Sequence, residues 1–150
     1  MIVIAVEDPA APDIRALLAA GDAWYAALYP AESNHLLDVE TLRGPEVTFL
    51  AAREDGMLLG IGAVVAFEGY AELKRMWVVP EARGRALGRR ILQELEKAAA
   101  ARGITCLRLE TGVDQTEARS LYGSIGFREI EPFGDYRPDP LSVFMEKCLP

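Results

Sequence analysis

Apolar residues recur along the chain with two different periods, and these periods predict an ordered set of helices and strands. Helical spacing predicts helices over about residues 12–29, 33–42, 87–102 and 115–125, with Ser33 or Asn34 as the cap of the second. Shorter β-branched or apolar runs predict strands over about residues 2–6, 47–52, 58–67, 70–79, 105–110, 127–130 and 142–146. This order predicts a mixed α/β fold with antiparallel hairpins early and a βαβ crossover later.

The clearest chemical signal is the turn that leads from the strand ending near Val79 into the helix starting near Leu87. Small residues at 84, 86 and 88 allow the backbone to turn tightly and to approach a ligand closely. The first amides of a helix lack intrahelical acceptors and carry partial positive charge, so this turn suits an anion such as phosphate. Basic side chains gather in the same stretch: Lys74, Arg75, Arg83, Arg85, Arg89 and Arg90.

An ordinary strand-to-helix turn with solvated arginines is the alternative interpretation of this segment. The turn is not a Walker loop, because no Gly-Lys-Ser/Thr follows it. It also lacks the Gly-x-Gly-x-x-Gly pattern of dinucleotide-binding domains. A nucleotide-phosphate binder that uses only this turn therefore stays open as a function.

Composition and charge exclude several classes of protein. The chain has 150 residues, which predicts one domain over residues 1–150, and 51% of them are hydrophobic, which argues against disorder. Its 16 Lys and Arg against 23 Asp and Glu give a formal net charge of −7, which argues against a nucleic acid or an anionic membrane as partner. No export signal and no run long enough to span a membrane is visible, so we expect a cytoplasmic protein.

The cysteines and the histidine narrow the chemistry further. Cys106 and Cys148 lie in apolar segments and predict buried free thiols in a reducing cytosol, rather than a disulfide framework or a zinc site. His35 is the only histidine, which argues against a histidine-based catalytic triad and against a multi-histidine metal site. We therefore expect no metal.

Two segments together resemble the GNAT superfamily of acyl-CoA-dependent N-acyltransferases, in the form of its small single-domain bacterial members. Residues 76–88, MWVVPEARGRALG, resemble the family's pyrophosphate-binding strand, loop and helix start, with Ala86 in place of the middle glycine. Residues 115–127, QTEARSLYGSIGF, resemble the family's Asn-x-x-Ala-x-x-Leu-Tyr-x-x-x-Gly-Phe segment, with Gln115 in place of the asparagine. Two motifs at the right separation are far more specific than either alone.

The resemblance implies a fold and a co-substrate. The fold is a central twisted mixed sheet of about six or seven strands, with two splayed parallel strands, flanked by about four helices. The pantetheine arm of acetyl-CoA would lie in the splay, here between residues 70–79 and 105–110. By position, the predicted cofactor-binding residues are Met76, Val78, Arg83, Gly84, Arg85, Ala86, Leu87, Gly88, Arg89 and Gln115.

Two residues are predicted to be catalytic. Glu72 lies eleven residues before Arg83, where several members of the resembled family carry a general base, and an apolar strand would favour proton uptake by it. An exposed edge carboxylate, or a salt bridge to Lys74 or Arg75, is the alternative for Glu72. Tyr122 matches the family tyrosine that protonates the departing thiolate or holds the sulfur, and a packing role is its alternative.

The acceptor would lie between the N-terminal helices and the last hairpin, as in the resembled family. The predicted substrate-binding residues are Tyr25, Tyr29, Glu32, His35, Arg75 and Tyr136. Glu32 could hold a cationic amine, whereas Lys74 or Arg75 could hold a carboxylate of the acceptor. Packing in the helix core is the alternative for Tyr25, and a surface or capping role is the alternative for His35.

These residues favour an N-acetyltransferase that moves an acetyl group from acetyl-CoA to a primary amine of a small molecule or peptide. We expect direct attack in a ternary complex, because neither cysteine has a visible activating neighbour. The expected partners are acetyl-CoA and the amine, and a homodimer is left open. The main alternative is a catalytically silent acyl-CoA-binding module that senses the cofactor or regulates a partner.

Overall fold

The computed structural model describes residues 1–33 and 36–149 and shows seven strands and four α-helices in that part of the chain. The strands are β1 (Ile2–Val6), β2 (Val47–Glu54), β3 (Met57–Phe67), β4 (Tyr70–Val78), β5 (Cys106–Gly112), β6 (Arg128–Ile130) and β7 (Ser142–Cys148). The helices are α1 (Pro12–Leu28), α2 (Val39–Leu42), α3 (Leu87–Ala101) and α4 (Thr116–Ser124). Single 3-10 turns cover Ala31–Ser33 and Pro80–Ala82. The predicted mixed α/β fold is confirmed.

The strands form one mixed sheet in the order β1-β2-β3-β4-β5-β7-β6. Only β4 and β5 run parallel; the other neighbouring pairs are antiparallel. The strands β1 to β4 are neighbours in the sheet in the same order as in the sequence. Helix α3 lies between β4 and β5 in the sequence and makes the crossover that a parallel pair requires. The sheet therefore has the early antiparallel ribbon and the later βαβ unit that the sequence predicts.

Alternating residues of the central strands bury two apolar layers, one on each face of the sheet. Leu50 and Ala52 of β2 belong to the cluster that packs under α3, whereas Phe49 and Ala51 belong to the cluster under α1 and α2. The predicted apolar face of α3 is fully buried: Leu87, Ile91, Leu92, Leu95 and Ala99. Among the described residues, no helix combines the length and the hydropathy that crossing a membrane requires.

The parallel pair opens into a splay, which is the feature that positions the site. Register pairing between β4 and β5 covers only Ala71 with Leu107 and Glu72 with Arg108. Beyond this point β4 continues to Val78 and β5 to Gly112 without pairing each other. The backbone groups along this opening face each other across a gap that a ligand can enter.

A bulge in β4 turns the strand at the mouth of the splay. The register with β3 shifts between Ile61 and Ala63, and Arg75 has a φ of 60°. This left-handed conformation costs a non-glycine residue about 1–2 kcal/mol. The Arg75 guanidinium lies 2.6 Å from Asp22 and donates to the Leu18 carbonyl at 3.0 Å, and these contacts offset the cost.

The predicted helix over residues 33–42 is wrong. Ser33 ends the 3-10 turn and donates its hydroxyl to Asp139 at 2.7 Å, while Asn34, the other predicted cap, lies outside the described residues. The helix begins only at Val39, because the Asp38 side chain accepts the Thr41 amide and so caps a new start.

The predicted free thiols are also wrong, because Cys106 and Cys148 form a disulfide. The two residues are register partners at the start of β5 and the end of β7, and their Cα atoms lie 4.0 Å apart. Pairing of strands that are distant in sequence brought the sulfurs together. The argument for a reducing compartment that rested on free thiols therefore no longer applies.

Candidate active site

The turn between β4 and α3 is built to expose backbone amides. Gly84 has a φ of 83°, and Ala86, with a φ of 57°, is the N-cap of α3. No side chain caps this helix, so its first amides are left for another partner. The helix is 15 residues long, and its dipole adds partial positive charge at this end. The turn therefore has the geometry of an anion site, as predicted.

A cleft of about 610 Å³, here called the turn cleft, lies against these amides. Most of the predicted cofactor-binding residues line it: Met76, Val78, Arg83, Gly84, Ala86, Leu87, Gly88, Arg89 and Gln115. Arg85 is the exception, because its guanidinium makes two hydrogen bonds to the Glu54 carboxylate, at 3.1 and 2.8 Å. The positive charge of Arg85 is thus directed towards β2 rather than into the turn cleft.

Relief of strain at Ala86 gives a testable expectation. We expect Ala86→Gly to raise the free energy of unfolding by up to about 1 kcal/mol, because glycine adopts a positive φ without a Cβ clash. Ala100→Gly, in the exposed last turn of α3, is the matched control and should lower stability instead. Urea unfolding measures both values, and a loss of stability in Ala86→Gly would contradict the expectation.

A smaller cavity of about 90 Å³, here called the inner cavity, lies deeper in the splay. It shares with the turn cleft the residues Tyr25, Met76, Gln115, Ala118 and Tyr122, so the two spaces are continuous. Tyr122 is buried, and burial, followed by the nearby Tyr25, raises the pKa of its hydroxyl. The hydroxyl therefore stays protonated across the physiological range. Burial likewise raises the pKa of Tyr25 to about 12, and its hydroxyl donates to Gln115 at 3.2 Å.

A third space of about 870 Å³, here called the outer cleft, lies beside β4. Lys74 lines both the inner cavity and the outer cleft, so the two spaces are neighbours. Glu72, the predicted base, lines the outer cleft and is 5% exposed. Lys74 Nζ lies 3.1 Å from Glu72 Oε2, so the salt bridge considered as the alternative for Glu72 is present.

Tyr136 completes a cluster of three polar side chains. Its hydroxyl donates to Glu72 Oε2 at 2.5 Å and accepts from Lys74 Nζ at 2.5 Å. Burial, followed by the Glu72 charge, raises the pKa of Tyr136. These contacts all fall on Oε2. Glu72 itself lines the outer cleft, so its carboxylate group borders a space that a substrate could enter.

The predicted substrate-binding residues separate into three groups. Glu32 and Tyr136 line the outer cleft, and Tyr25 and Tyr29 line the inner cavity. Arg75 also borders the inner cavity, but Asp22 and the Leu18 carbonyl occupy its guanidinium and its side chain is 4% exposed. Its role in holding an acceptor carboxylate therefore stays a prediction, and it would require exchange of these contacts. His35 lies outside the described residues.

Comparison with known proteins agrees with this architecture. The model of the acetyltransferase (GNAT) family matches residues 14–127, which include both predicted motifs. The chain belongs to this family. It is 48% identical over 150 residues to the "IAA acetyltransferase" of Azospirillum brasilense, covering 99% of this chain and 98% of that protein.

Solved structures of GNAT proteins share the fold over nearly the whole chain. A Klebsiella pneumoniae (subsp. pneumoniae MGH 78578) protein, assigned as an acyl-CoA N-acyltransferase, is 40% identical, with a TM-score of 0.84 and coverage of 99% and 98% of the two chains. The PaiA N-acetyltransferase of Thermoplasma acidophilum, crystallised with coenzyme A, has a TM-score of 0.75 at 24% identity and covers 99% of each chain. At 24% identity, the similarity to the PaiA structure shows a shared fold.

Sequence reasoning missed two features of the GNAT site. Trp77 of β4 packs edge-on against Trp24 at 5.4 Å between ring centroids, and together they form an aromatic wall of the turn cleft. Gly112, at the end of β5, leaves room for the Tyr29 hydroxyl, which would lie 1.9 Å from a Cβ at that position. A glycine that ends a strand is the only sequence signal for the second feature, and it names no partner.

One set of potential metal ligands occurs in the described part of the chain: Cys106, Glu146 and Cys148. The two sulfurs are bonded to each other, and Glu146 pairs with Arg108 at 2.8 Å and with Arg128 at 3.1 Å. This set lies at the opposite end of β5 from the splay, and its ligand atoms are already engaged.

Proposed function

We propose that this GNAT protein is an N-acetyltransferase that transfers an acetyl group from acetyl-CoA to a primary amine of a small molecule or peptide, with residues 1–150 acting as one domain. The observation that carries the proposal is that three neighbouring spaces share lining residues along β4. Tyr122 lines both the turn cleft and the inner cavity, and Lys74 lines both the inner cavity and the outer cleft, beside Glu72. The coenzyme would approach from the turn cleft and the amine from the outer cleft.

The turn cleft suits the coenzyme. The uncapped amides of α3 and the Gly84 turn would hold the pyrophosphate, with Arg83 and Arg89 beside it. Met76 and Val78 would offer backbone groups to the pantetheine along the unpaired edge of β4. An array of fixed backbone amides needs no side-chain ordering on binding, which favours affinity. The coenzyme A bound to the PaiA relative supports this use of the fold.

The outer cleft suits the amine. An amine with a pKa near 10 is mostly protonated at neutral pH and must lose a proton before it can attack, for example to the Glu72 carboxylate, directly or through water. Lys74 and Tyr136 hold the carboxylate in place through Oε2. The thioester of acetyl-CoA supplies the activated acetyl group. Backbone amides near Met76 would stabilise negative charge on the carbonyl oxygen, and the Tyr122 hydroxyl would give its proton to the leaving sulfur.

Binding of acetyl-CoA at the Gly84 turn is the first test. At about 100 times its Kd, a ligand stabilises by about 2.7 kcal/mol, which raises the Tm of a protein of this size by about 5–10 °C. We expect acetyl-CoA to produce such a rise, and Gly84→Glu to abolish it, because a carboxylate there repels the phosphates and blocks backbone approach.

Gly84→Ala is the matched control, since alanine is strained at a φ of 83° but carries no charge. It should keep a reduced rise in Tm with acetyl-CoA. An unchanged rise in folded Gly84→Glu would place the phosphate site elsewhere. A larger rise with ATP than with acetyl-CoA would favour a nucleotide binder, and tight CoA binding with no turnover on any amine would favour a sensor module.

A further inference from the structure

Tyr29 is the aromatic side chain that lines the inner cavity without also lining the turn cleft, among the described residues. The part of the cavity lining that is not shared with the turn cleft includes Tyr29, Leu73, Leu109 and Gly112. Tyr29 follows the last residue of α1 and is 6% exposed. Its side chain is therefore buried beside the splay and borders the inner cavity.

The position of Tyr29 is fixed by β5 and the loop that follows it. The Asp114 amide donates to the Tyr29 hydroxyl at 3.3 Å. A Cβ at Gly112 would lie within 1.9 Å of that hydroxyl and within 2.3 Å of the ring carbon that carries it. Only glycine at this position lets the phenol reach so far across the splay, so the tyrosine and the glycine form one structural unit.

The geometry of β4 places the acyl end of the donor in the inner cavity. Val78 and Met76 of β4 line the turn cleft, and Met76 and Lys74 of the same strand line the inner cavity. A pantetheine arm that follows β4 from the Gly84 turn would thus bring its thioester to the boundary at Met76 and Tyr122. The acyl chain would then extend into the inner cavity towards Tyr29.

The small volume of this cavity favours a short acyl chain. Its volume is about 90 Å³. An engineered cavity of roughly 150 Å³ holds a six-carbon benzene molecule, so a space of this size suits two or three carbons. The lining of the inner cavity combines Leu73 and Leu109 with polar residues such as Lys74, Glu110 and Thr111, so its small volume rather than an apolar lining favours a short acyl group.

We propose that Tyr29, held across the splay by Gly112, is the residue that restricts the donor to short acyl groups, acetyl and at most propionyl. This inference rests on the proposed function and names the class of acyl-CoA that the enzyme would accept as donor. It assigns Tyr29 to the acyl group rather than to the acceptor.

The test compares acetyl-, propionyl- and butyryl-CoA with two variants, Tyr29→Leu and Tyr29→Ala. Turnover gives kcat/KM for each donor, and the rise in Tm with each acyl-CoA gives binding without chemistry. One methylene in an apolar pocket changes specificity by about 10–200-fold, so we expect wild-type protein to use butyryl-CoA at least about tenfold less well than acetyl-CoA. The ratio of kcat/KM for acetyl-CoA to that for butyryl-CoA should fall at least about tenfold in either variant.

Two matched controls accompany these variants. Tyr29→Phe keeps the ring that fills the cavity and should keep the acetyl preference. Leu28→Ala, one residue earlier and 44% exposed, should leave both the ratio and the rises in Tm unchanged. Tyr29→Leu preserves apolar bulk, so it gives a folded variant if Tyr29→Ala is too unstable to assay.

The outcomes separate this inference from the proposed function. An unchanged donor ratio in a folded Tyr29→Leu, or equal use of acetyl- and butyryl-CoA by wild-type protein, would overturn the role of Tyr29. Acyl-CoA binding without turnover would count against an acetyltransferase function. The rises in Tm with acetyl-, propionyl- and butyryl-CoA would still show whether Tyr29 restricts the length of the acyl chain. If no acyl-CoA raises the wild-type Tm, both ideas fail.

Discussion

Glu72→Gln is expected to remove the rising acid limb of the pH–rate profile and to lower turnover at neutral pH by about 10²–10⁴-fold. Glutamine keeps the shape of the side chain and can still accept hydrogen bonds from Tyr136 and Lys74, but it cannot take the amine proton. The loss should shrink towards high pH, where the free amine already exists. The measurement is kcat/KM against pH for several amines of different pKa.

The same substitution should also lower stability, and this effect has to be separated from the chemical one. Glu72 and Lys74 form a largely buried ion pair, with side chains 6% and 13% exposed. Removing one partner of a buried pair typically costs about 3–5 kcal/mol, because the other charge is left unpaired. Urea unfolding of Glu72→Gln and of Glu72→Gln combined with Lys74→Gln measures this cost, and the double variant should recover part of it.

Tyr136→Phe is the matched control for the base. It removes the hydroxyl that holds Glu72 Oε2 but keeps both the carboxylate and its lysine. We therefore expect a reduced rate with the acid limb retained. Parallel pH profiles for wild type and Glu72→Gln with every active amine would mean that another group is the base. Glu32 and Asp135, which also line the outer cleft, would then be the next residues to test.

The parts of the site that the sequence predicts are those determined by short stretches of chain. The apolar period of α3 predicts its buried face, and the small residues at 84, 86 and 88 predict the turn in front of it. Both depend on neighbours within one or two turns of helix. The left-handed conformation at Ala86 follows the same local logic, since this position replaces a glycine of the family motif.

The errors arise where distant segments meet. The sequence also does not reveal that Arg75, at the β4 bulge, pairs with Asp22 of α1, 53 residues earlier. The two cysteines become neighbours only through the register of β5 with β7, which composition cannot reveal. Glu72 was correctly placed on a strand, yet its hydrogen bond to Tyr136, 64 residues away, depends on how the last loop folds over β4.

Tyr122→Phe is expected to lower kcat by at least about 10²-fold while changing the affinity for acetyl-CoA little. The hydroxyl is needed as charge develops on the leaving sulfur, so its loss should appear in the chemical step. Burial raises the pKa of Tyr122, so the acid form is present throughout the assay range. The loss should therefore be uniform from about pH 6 to pH 10, whereas that of Glu72→Gln shrinks with rising pH.

Tyr25→Phe is the matched comparison for Tyr122, because both phenols line the junction of the turn cleft and the inner cavity. The Tyr25 hydroxyl donates to Gln115, so its removal should weaken acetyl-CoA binding more than it slows turnover. Acetyl-CoA affinity from the rise in Tm and kcat from thiol release separate the two variants. Normal kcat with a raised KM for acetyl-CoA in Tyr122→Phe would make this tyrosine a binding residue, and the thiolate would then depart without an acid.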